Sequence, residues 1–211
     1  MGGDLWASQW SADYEQGIPV TPAPAAGHQL PFAKGRFRVG STVAKSTNPN
    51  MEIRLFEGQD VESVTDLLHD MSGHYNGENV STRSAVRANL VERILGPNSG
   101  VTLVVALSGA RAVGLAAISI LYPAPMERGQ LFMMELYVHS DCRGGGIGEQ
   151  LMVWIAKYAI QHDCVRFDWT AEANNPGALR FYSALGARRA EEKIYFRFEG
   201  DDLLSLAEHD A

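Results

Sequence analysis

The sequence predicts an α/β fold in which a mixed β-sheet is flanked by helices. Segments that alternate apolar and polar residues, as strands do, are interleaved with longer segments of helical period, in the order β-α-α-β-β-β-α-β-α-β. In addition, 45% of the 211 residues are apolar and no internal repeat is present. The chain is therefore long enough for one well-covered core and an appendage.

The first elements follow Met51. Residues 51–56 alternate as a strand does, and a helix is predicted over residues 60–71 because its apolar residues recur at helical spacing. This apolar stripe consists of Val61, Val64, Leu67, Leu68 and Met71. The polar segment 72–79 is expected to break the helix, and a second helix is predicted over residues 81–95, with Ser81 as its N-cap.

The later elements complete the sheet and cover it. Two apolar runs joined by an SGAR turn predict a hairpin, and a third run predicts its neighbouring strand. The predicted elements are strands at residues 101–107, 112–121, 130–138, 165–171 and 193–198, with helices at residues 146–162 and 175–185. The last of these strands, KIYFRF, would close the sheet.

Residues 1–50 differ from the rest of the chain. Proline, glycine and small polar residues are frequent there, and neither the strand period nor the helix period is sustained. We interpret this segment as a loosely ordered N-terminal arm, whose aromatic residues could instead dock on a surface. Residues 51–211 are then the folded domain.

The acidic composition limits the classes of partner. A net charge of −7 disfavours nucleic acid, and no apolar run approaches the roughly 18 to 20 residues of a membrane span. We therefore expect a cytoplasmic protein with neither nucleic acid nor membrane as partner. Cys142 and Cys164 are too few for a disulfide framework and lack metal-ligand spacing, so we expect free thiols and no metal site.

A glycine-rich turn joins a strand to a helix at residues 143–148. Gly144, Gly145, Gly146 and Gly148 leave backbone N–H groups unhindered at the positive end of a helix, which is where proteins bind phosphates. Arg143 beside them could bind a phosphate in bidentate fashion. Taken alone, the same turn is also compatible with a merely flexible connection.

The run Arg143-x-x-Gly146-x-Gly148, followed by Asn175 and seven residues later by Tyr182, resembles the GNAT superfamily of acyl-CoA-dependent N-acyltransferases. The resemblance covers residues 51 to about 206, and the FYSALGA segment is similar to the spermidine/spermine (diamine) acetyltransferase branch. It implies a GNAT-type, mostly antiparallel sheet and acetyl-CoA as cofactor, with the glycine turn on the pyrophosphate. The positions it assigns to coenzyme A are Leu136, Val138, Arg143, Gly144, Gly145, Gly146, Ile147, Gly148, Asn175 and Tyr182.

The resemblance also implies catalytic roles. Tyr182 matches the tyrosine that protonates the departing thiolate, although an aromatic side chain packed for area is the alternative. The backbone N–H of Val138 is the expected donor to the carbonyl oxygen. Glu135, which strand alternation would put on the same face as Met133 and Tyr137, is a candidate base for the amine. It could instead be structural or hold a cationic substrate, with water chains acting as the base.

The acceptor is expected to be a primary amine of a small molecule, such as a polyamine, an aminoglycoside or an amino acid. The segment 69–79 would help to form its pocket, and there Tyr75 and Glu78, beside Asp70 and His74, suit a cation. A protein or peptide amine is less favoured. An acyl-CoA-binding module without catalysis is the alternative from another class, and a nucleotide-binding oxidoreductase would depend on the glycines alone. A homodimer is plausible by analogy with the polyamine branch.

Overall fold

A five-stranded sheet organises residues 51–76 and 81–209, the part of the chain that a computed structural model describes. All of these residues belong to the unit Val43–Ala211. The strands are β1 (Met51–Leu55), β2 (Thr102–Ser108), β3 (Arg111–Ala124), β4 (Arg128–Val138) and β5 (Cys164–Trp169), in the spatial order β1-β2-β3-β4-β5. Neighbours are antiparallel except for β4 and β5, which are parallel. The predicted fold class is confirmed, whereas the arm predicted for residues 1–50 lies outside the described residues.

Helices cover both faces of the sheet. They are α1 (Val61–Asn76), α2 (Arg83–Asn89, continued by a π-helical turn at Leu90–Ile94), α3 (Ile147–Gln161) and α4 (Pro176–Ala184). A further short helix, α5 (Asp201–Ala207), is exposed along its whole length. The predicted stripe of α1 packs with Leu90 and Leu115 in one apolar layer. On the opposite face, Leu151 and Ile155 of α3 are fully buried in a second layer.

Two predicted helix boundaries were wrong. The helix α1 does not break at residue 72 but continues to Asn76, because a single glycine, Gly73, costs a helix only about 1 kcal/mol. The N-cap of α2 is Thr82 rather than Ser81, since the Thr82 hydroxyl accepts a hydrogen bond from the N–H of Ala85 at 3.3 Å.

A β-bulge at Met134 divides β4 into two halves. Ala117 of β3 lies opposite Glu135 and the next residue, Ile118, lies opposite Met133, so Met134 is the extra residue. The expectation that Met133 and Tyr137 share a face was therefore wrong: Met133 is buried in the α3 layer and Tyr137 in the α1 layer. Glu135 lies beyond the bulge and two residues before Tyr137. It therefore shares the face of Tyr137 and not that of Met133.

The predicted closing strand does not form. Residues 193–198 pair with no strand of the described chain, and the short helix α5, which the sequence pattern did not predict, follows them. A strand pattern states which residues could share a face, but a strand also needs an edge to pair with. The segment therefore carries a strand sequence without a partner.

A buried ion pair fixes the corner between β1 and α1. Asp60, 4% exposed, accepts hydrogen bonds from both terminal nitrogens of Arg54 at 2.6 and 2.9 Å and from the backbone N–H of Glu57 at 2.7 Å. The hydrogen bond from the Arg54 guanidinium lowers the pKa of the Asp60 carboxyl, more than its burial raises it. Both carboxylate oxygens of this corner have partners.

Candidate active site

The sheet opens between β4 and β5. The parallel pairing of these strands ends with Met133 opposite Trp169, while β4 continues to Val138. Beyond Met133, no strand of the described chain pairs with this edge of β4. The opening exposes backbone groups of a central strand, which is unusual for a position so close to the core.

Two amide groups of β4 face this opening. The N–H of His139, the residue after β4, donates to the carbonyl of Val113 at 3.0 Å, so the alternate residues Tyr137 and His139 turn their N–H groups toward β3. The N–H groups of Leu136 and Val138 consequently point away from β3. Leu136 donates to Oε1 of Glu135 at 3.2 Å, which brings this carboxylate to the edge of the opening.

The glycine-rich turn lies at the end of β4 and starts α3. Gly144 and Gly146 have φ values of 79° and 77°, a left-handed backbone that side chains with a Cβ rarely adopt, and Gly146 is the N-cap of α3. The first helical hydrogen bond that closes on this cap runs from the N–H of Gln150 to the carbonyl of Gly146. The preceding amides of the first turn are the groups that a helix leaves to an outside acceptor.

Gln150 is a residue of this site that the sequence analysis missed. Its Nε2 atom is buried without a hydrogen-bond partner among the described residues. It lies 3.8 Å from the position that a Cβ on Gly146 would take, so the amide group borders the turn. The only signal in the sequence was a polar residue in the first turn of an otherwise apolar helix, which is too common to single out.

Gly148 lies where α3, α4 and the end of β4 meet. A Cβ at this position would lie 3.2 Å from Cζ of Phe181 and 3.9 Å from Cγ2 of Val138. The beginning of α3 therefore contacts both α4 and the end of β4 closely, and a Cβ at Gly148 would require the Phe181 ring to shift by a few tenths of an ångström. This contact brings α4 to the opening.

Tyr182 lies on α4 at the end of β5. Its ring is 5.0 Å from the ring of Trp169, the last residue of β5, and 5.1 Å from that of Phe181. Asn175 begins this helix, because its side chain accepts a hydrogen bond from the N–H of Ala178 at 3.0 Å before Pro176 in the first turn. The N-cap interpretation of Asn175 is thus correct, which leaves its contact with a cofactor as a prediction.

Arg143 is folded back over the end of β4. Its Nε donates to the carbonyl of Val138 at 3.0 Å, and its guanidinium carbon lies 5.6 Å from the centre of the Tyr137 ring. The side chain is exposed. Arg143 therefore links the turn to the α1 side of the sheet.

A cavity of about 360 Å³ lies on the α1 side of the end of β4. Its lining residues are His69, Asp70, Gly73, His74, Tyr137 and Ser140. The Tyr137 hydroxyl donates to Oδ2 of Asp70 at 3.2 Å, and Nε2 of His139 lies 3.4 Å from the same oxygen. Burial, and then the Asp70 carboxylate, raise the pKa of Tyr137, so its hydroxyl stays a neutral donor.

The fold brings most of the predicted site residues to this region. Leu136, Val138, Glu135 and the turn from Gly144 to Gly148 border the opening, and α4 carries Tyr182 to it. For the acceptor, α1 places Asp70 and His74 in the cavity. Glu78 and the side chain of Tyr75 lie outside the described residues, so their roles stay predictions.

Other kinds of site find less support in the described chain. Residues 51–76 and 81–209 include no group of three His, Cys, Asp or Glu side chains that could hold a metal ion. Within the same ranges no helix combines the length and apolar character that crossing a membrane requires. Both cysteines are free thiols, and burial raises the pKa of Cys164.

Comparisons with known proteins agree with this geometry. The pig (Sus scrofa) thialysine N-epsilon-acetyltransferase is 31% identical over 102 residues, which are 47% of this chain and 59% of that enzyme. The chain thus spans about three fifths of the length of this curated relative. An integron cassette protein from the mobile metagenome of V. cholerae is 36% identical, with a TM-score of 0.73 over 76% of this chain and 99% of that chain.

A more distant structure shows the fold alone. An aminoglycoside N-acetyltransferase solved in complex with CoA is 20% identical, with a TM-score of 0.56 over 71% of this chain and 95% of that chain. The sequence model of the acetyltransferase (GNAT) family matches residues 65–187, more than half of the chain and nearly all of the elements that form the opening. The chain therefore belongs to the acetyltransferase (GNAT) family.

Proposed function

We propose that this acetyltransferase moves an acetyl group from acetyl-CoA to a primary amine of a small molecule, by direct attack in a ternary complex. The observation that carries the proposal is the opening where β4 extends past β5. It lies between a glycine-rich helix start on one side and Tyr182 on the other, with the acidic cavity behind the strand.

The residues of the turn fit the pyrophosphate and the arm of coenzyme A. The first amides of α3 and the buried Nε2 of Gln150 are hydrogen-bond donors that need an acceptor. At Gly145 a Cβ would meet only the carbonyl of Cys142, at 3.5 Å, so the backbone is open to a ligand. The backbone of β4 at Leu136 suits the pantetheine arm, and the Val138 N–H is left for the carbonyl of the thioester. When bound, acetyl-CoA supplies the activated thioester.

Each catalytic task has a candidate in the opening. The Val138 N–H would stabilise the negative charge that develops on the carbonyl oxygen. The Tyr182 hydroxyl would donate its proton to the leaving sulfur. Glu135, at the edge of the opening, would accept the proton of the amine directly or through a water molecule. These assignments rest on position and on the residue types.

The cavity favours a cationic acceptor. Asp70 supplies a carboxylate, and Tyr137 and His74 supply aromatic rings whose centres are 6.2 Å apart. The pig relative is named for thialysine, a small amine with an amino-acid backbone. We therefore place the acceptor among diamines and amino-acid-like amines, including the polyamines of the spermidine/spermine branch, with aminoglycosides as the next class.

An amine panel tests the proposal. The full chain with acetyl-CoA is incubated with several dozen amines, among them diamines, lysine analogues, aminoglycosides and a peptide with a free N-terminus. Thiol release and product masses are then measured. We expect acetylated product from at least one small amine. Binding of acetyl-CoA without product from any amine would overturn the proposal and favour a binding module, and product from the peptide alone would overturn the small-molecule acceptor.

A further inference from the structure

The Arg143 side chain lies on the α1 side of β4, although the turn that carries it begins α3. Its guanidinium carbon is 5.6 Å from the centre of the Tyr137 ring, which is buried in the α1 layer. A hydrogen bond from its Nε to the Val138 carbonyl holds the side chain in this place. No carboxylate of the described chain forms an ion pair with Arg143. The guanidinium is therefore a cation beside the cavity that has no described anionic partner.

Asp70 supplies the opposite charge in the same cavity. Its Oδ2 accepts the hydrogen bond of the Tyr137 hydroxyl at 3.2 Å and lies 3.4 Å from Nε2 of His139. Both contacts use the same carboxylate oxygen, and Oδ1 has no hydrogen-bond partner among the described residues. The side chain is 46% exposed. One oxygen of Asp70 thus fixes the carboxylate in place, and the other is open to a ligand.

The Tyr137 hydroxyl lies close to both charges. Burial raises the pKa of Tyr137 most, the Asp70 carboxylate raises it further, and the Arg143 guanidinium lowers it. The carboxylate and the guanidinium are therefore both near this hydroxyl, yet they form no ion pair with each other. Two opposite charges that are held apart in this way match a ligand that carries both charges on one small group.

An α-amino acid carries such a group, because its ammonium and its carboxylate are attached to the same carbon atom. The cavity volume of about 360 Å³ lies near the lower end of the roughly 300–1,000 Å³ that is typical of small-molecule pockets. A diamine or polyamine carries positive charges alone, and Arg143 would repel the charge that Asp70 attracts. The cavity therefore favours a compact zwitterion over a diamine.

We propose that the acceptor is an α-amino acid with an amine on its side chain, whose α-ammonium group Asp70 binds and whose α-carboxylate Arg143 binds. Its side chain then leads to the Val138 amide, one residue further along β4. There the side-chain nitrogen forms the amide bond, the C–S bond of acetyl-CoA breaks, and the proton that the nitrogen loses ends on the released thiol. This inference rests on the proposed function, and it assigns Arg143 to the acceptor and not to the pyrophosphate.

Matched pairs of amines test the proposal with the full chain and acetyl-CoA. L-Lysine is compared with cadaverine and L-ornithine with putrescine, since each diamine lacks only the carboxylate. L-Lysinamide keeps both ammonium groups without that charge. We expect kcat/KM for at least one amino acid to exceed that of its diamine by about tenfold or more, as one charge-assisted hydrogen bond would give. Diamines that react as well as the amino acids would overturn the inference but leave the proposed function intact.

Arg143→Gln separates binding of the carboxylate from binding of the cofactor. The variant retains a polar side chain but has no charge, so the preference for the amino acid over its diamine should fall by about tenfold or more. Arg93→Gln, which removes an exposed guanidinium from the turn after α2, is the matched control and should keep the preference. An unchanged preference in Arg143→Gln, whether or not acetyl-CoA affinity falls, would overturn the role of Arg143.

A titration without turnover distinguishes failure of this inference from failure of the proposed function. The full chain is saturated with coenzyme A, which carries no acetyl group, and isothermal titration measures the affinities for L-lysine and cadaverine. We expect tighter binding of L-lysine, and several-fold weaker binding of both ligands in Asp70→Asn. Asp66→Asn, at an exposed ion pair on the same helix, is the control and should bind both as the parent does. Equal affinity for the two ligands, or full L-lysine affinity in Asp70→Asn, would overturn the inference even if no amine is acetylated.

Discussion

Two polar clusters of this molecule differ in whether their hydrogen-bonding groups find partners. At the corner between β1 and α1, the Asp60 carboxylate accepts three hydrogen bonds from Arg54 and Glu57. In the first turn of α3, Nε2 of Gln150 is buried with no partner among the described residues. A satisfied cluster stabilises the fold, whereas an unsatisfied group costs stability that a bound ligand or an ordered water returns. Substitutions in the two clusters should therefore have opposite effects on stability and binding.

The largest expected effect is on the reaction rate at Tyr182. Tyr182→Phe keeps the ring against Trp169 and removes one hydroxyl, so the rate should fall roughly 10²- to 10⁴-fold while acetyl-CoA affinity and thermal stability change little. Steady-state kinetics with the best amine of the panel measure this. Tyr158→Phe, which removes a hydroxyl from a ring stacked on Trp154, is the matched control and should keep the full rate. Full turnover in Tyr182→Phe would contradict the assignment.

Glu135→Gln addresses the other proton transfer. We expect a rate loss of about 10- to 100-fold at neutral pH that recovers as the pH rises, because more of the amine is then already neutral. The measurement is a pH profile of kcat and KM. A raised KM without recovery at high pH would show that the carboxylate holds the cation of the substrate and is not the base.

Asp60→Asn should reduce stability without altering acetyl-CoA binding. Losing the buried carboxylate that pairs with the half-buried Arg54 should cost roughly 2–3 kcal/mol in the free energy of unfolding. The folded-state pKa of Asp60 is lowered, so its stabilisation is complete above the unfolded pKa of about 4 and is lost as the pH falls through the folded value. Urea unfolding at pH 7 and pH 3 measures the difference between the two proteins, which should shrink in acid. An equal difference at both pH values would contradict the pairing.

Gly145→Val tests whether the turn is open to a ligand. The backbone of Gly145 is not left-handed, and there is room for a Cβ, so the variant should fold normally. It should bind acetyl-CoA about tenfold more weakly, a loss of about 1.4 kcal/mol. Gly58→Val, at an equally uncrowded position beside the satisfied corner, is the control. Isothermal titration gives both affinities. Equal affinity in both variants would place the cofactor elsewhere.

The smallest expected effect, at Gln150, bears most directly on the difference between the satisfied Asp60 carboxylate and the unsatisfied Gln150 amide. Gln150→Leu removes the unpartnered amide, so the free energy of unfolding should rise by about 1 kcal/mol while the affinity for acetyl-CoA falls several-fold. Thermal unfolding with and without acetyl-CoA reports both quantities. If Gln150→Leu is less stable than the parent protein without ligand, the amide has a structural partner and the comparison fails.

The periodicity of apolar residues predicted where helices and strands lie better than it predicted which elements pair or pack with each other. For example, the helix predicted over residues 146–162 is α3 (Ile147–Gln161), because its apolar stripe and its starting glycine are local signals. The bulge at Met134 left no such signal, because one extra residue in a run of apolar residues does not change the pattern. The prediction of a closing strand at residues 193–198 was wrong for a related reason: the alternating pattern does not say which strand edge the segment would pair with.

The residues of the candidate site likewise fall into those that local motifs predict and those that depend on packing. Motif spacing pointed to the turn and to Tyr182, since a glycine at a left-handed helix start and a tyrosine on the following helix depend on local chain geometry. Gln150 and the placement of Tyr137 depend on packing between distant segments. These could not be predicted from residue types alone.

The bulge at Met134 has a geometric consequence. It changes the phase of β4 once, so that Met133, before the bulge, faces α3, whereas Tyr137, beyond it, faces α1, although the two residues are an even number of positions apart. Tyr137, which lines the cavity, and Val138, whose amide faces the opening, are therefore joined by one peptide unit. Under the proposed function, the pocket for the amine and the amide offered to the thioester carbonyl are therefore one peptide unit apart, and the two substrates would meet across a single residue step of β4.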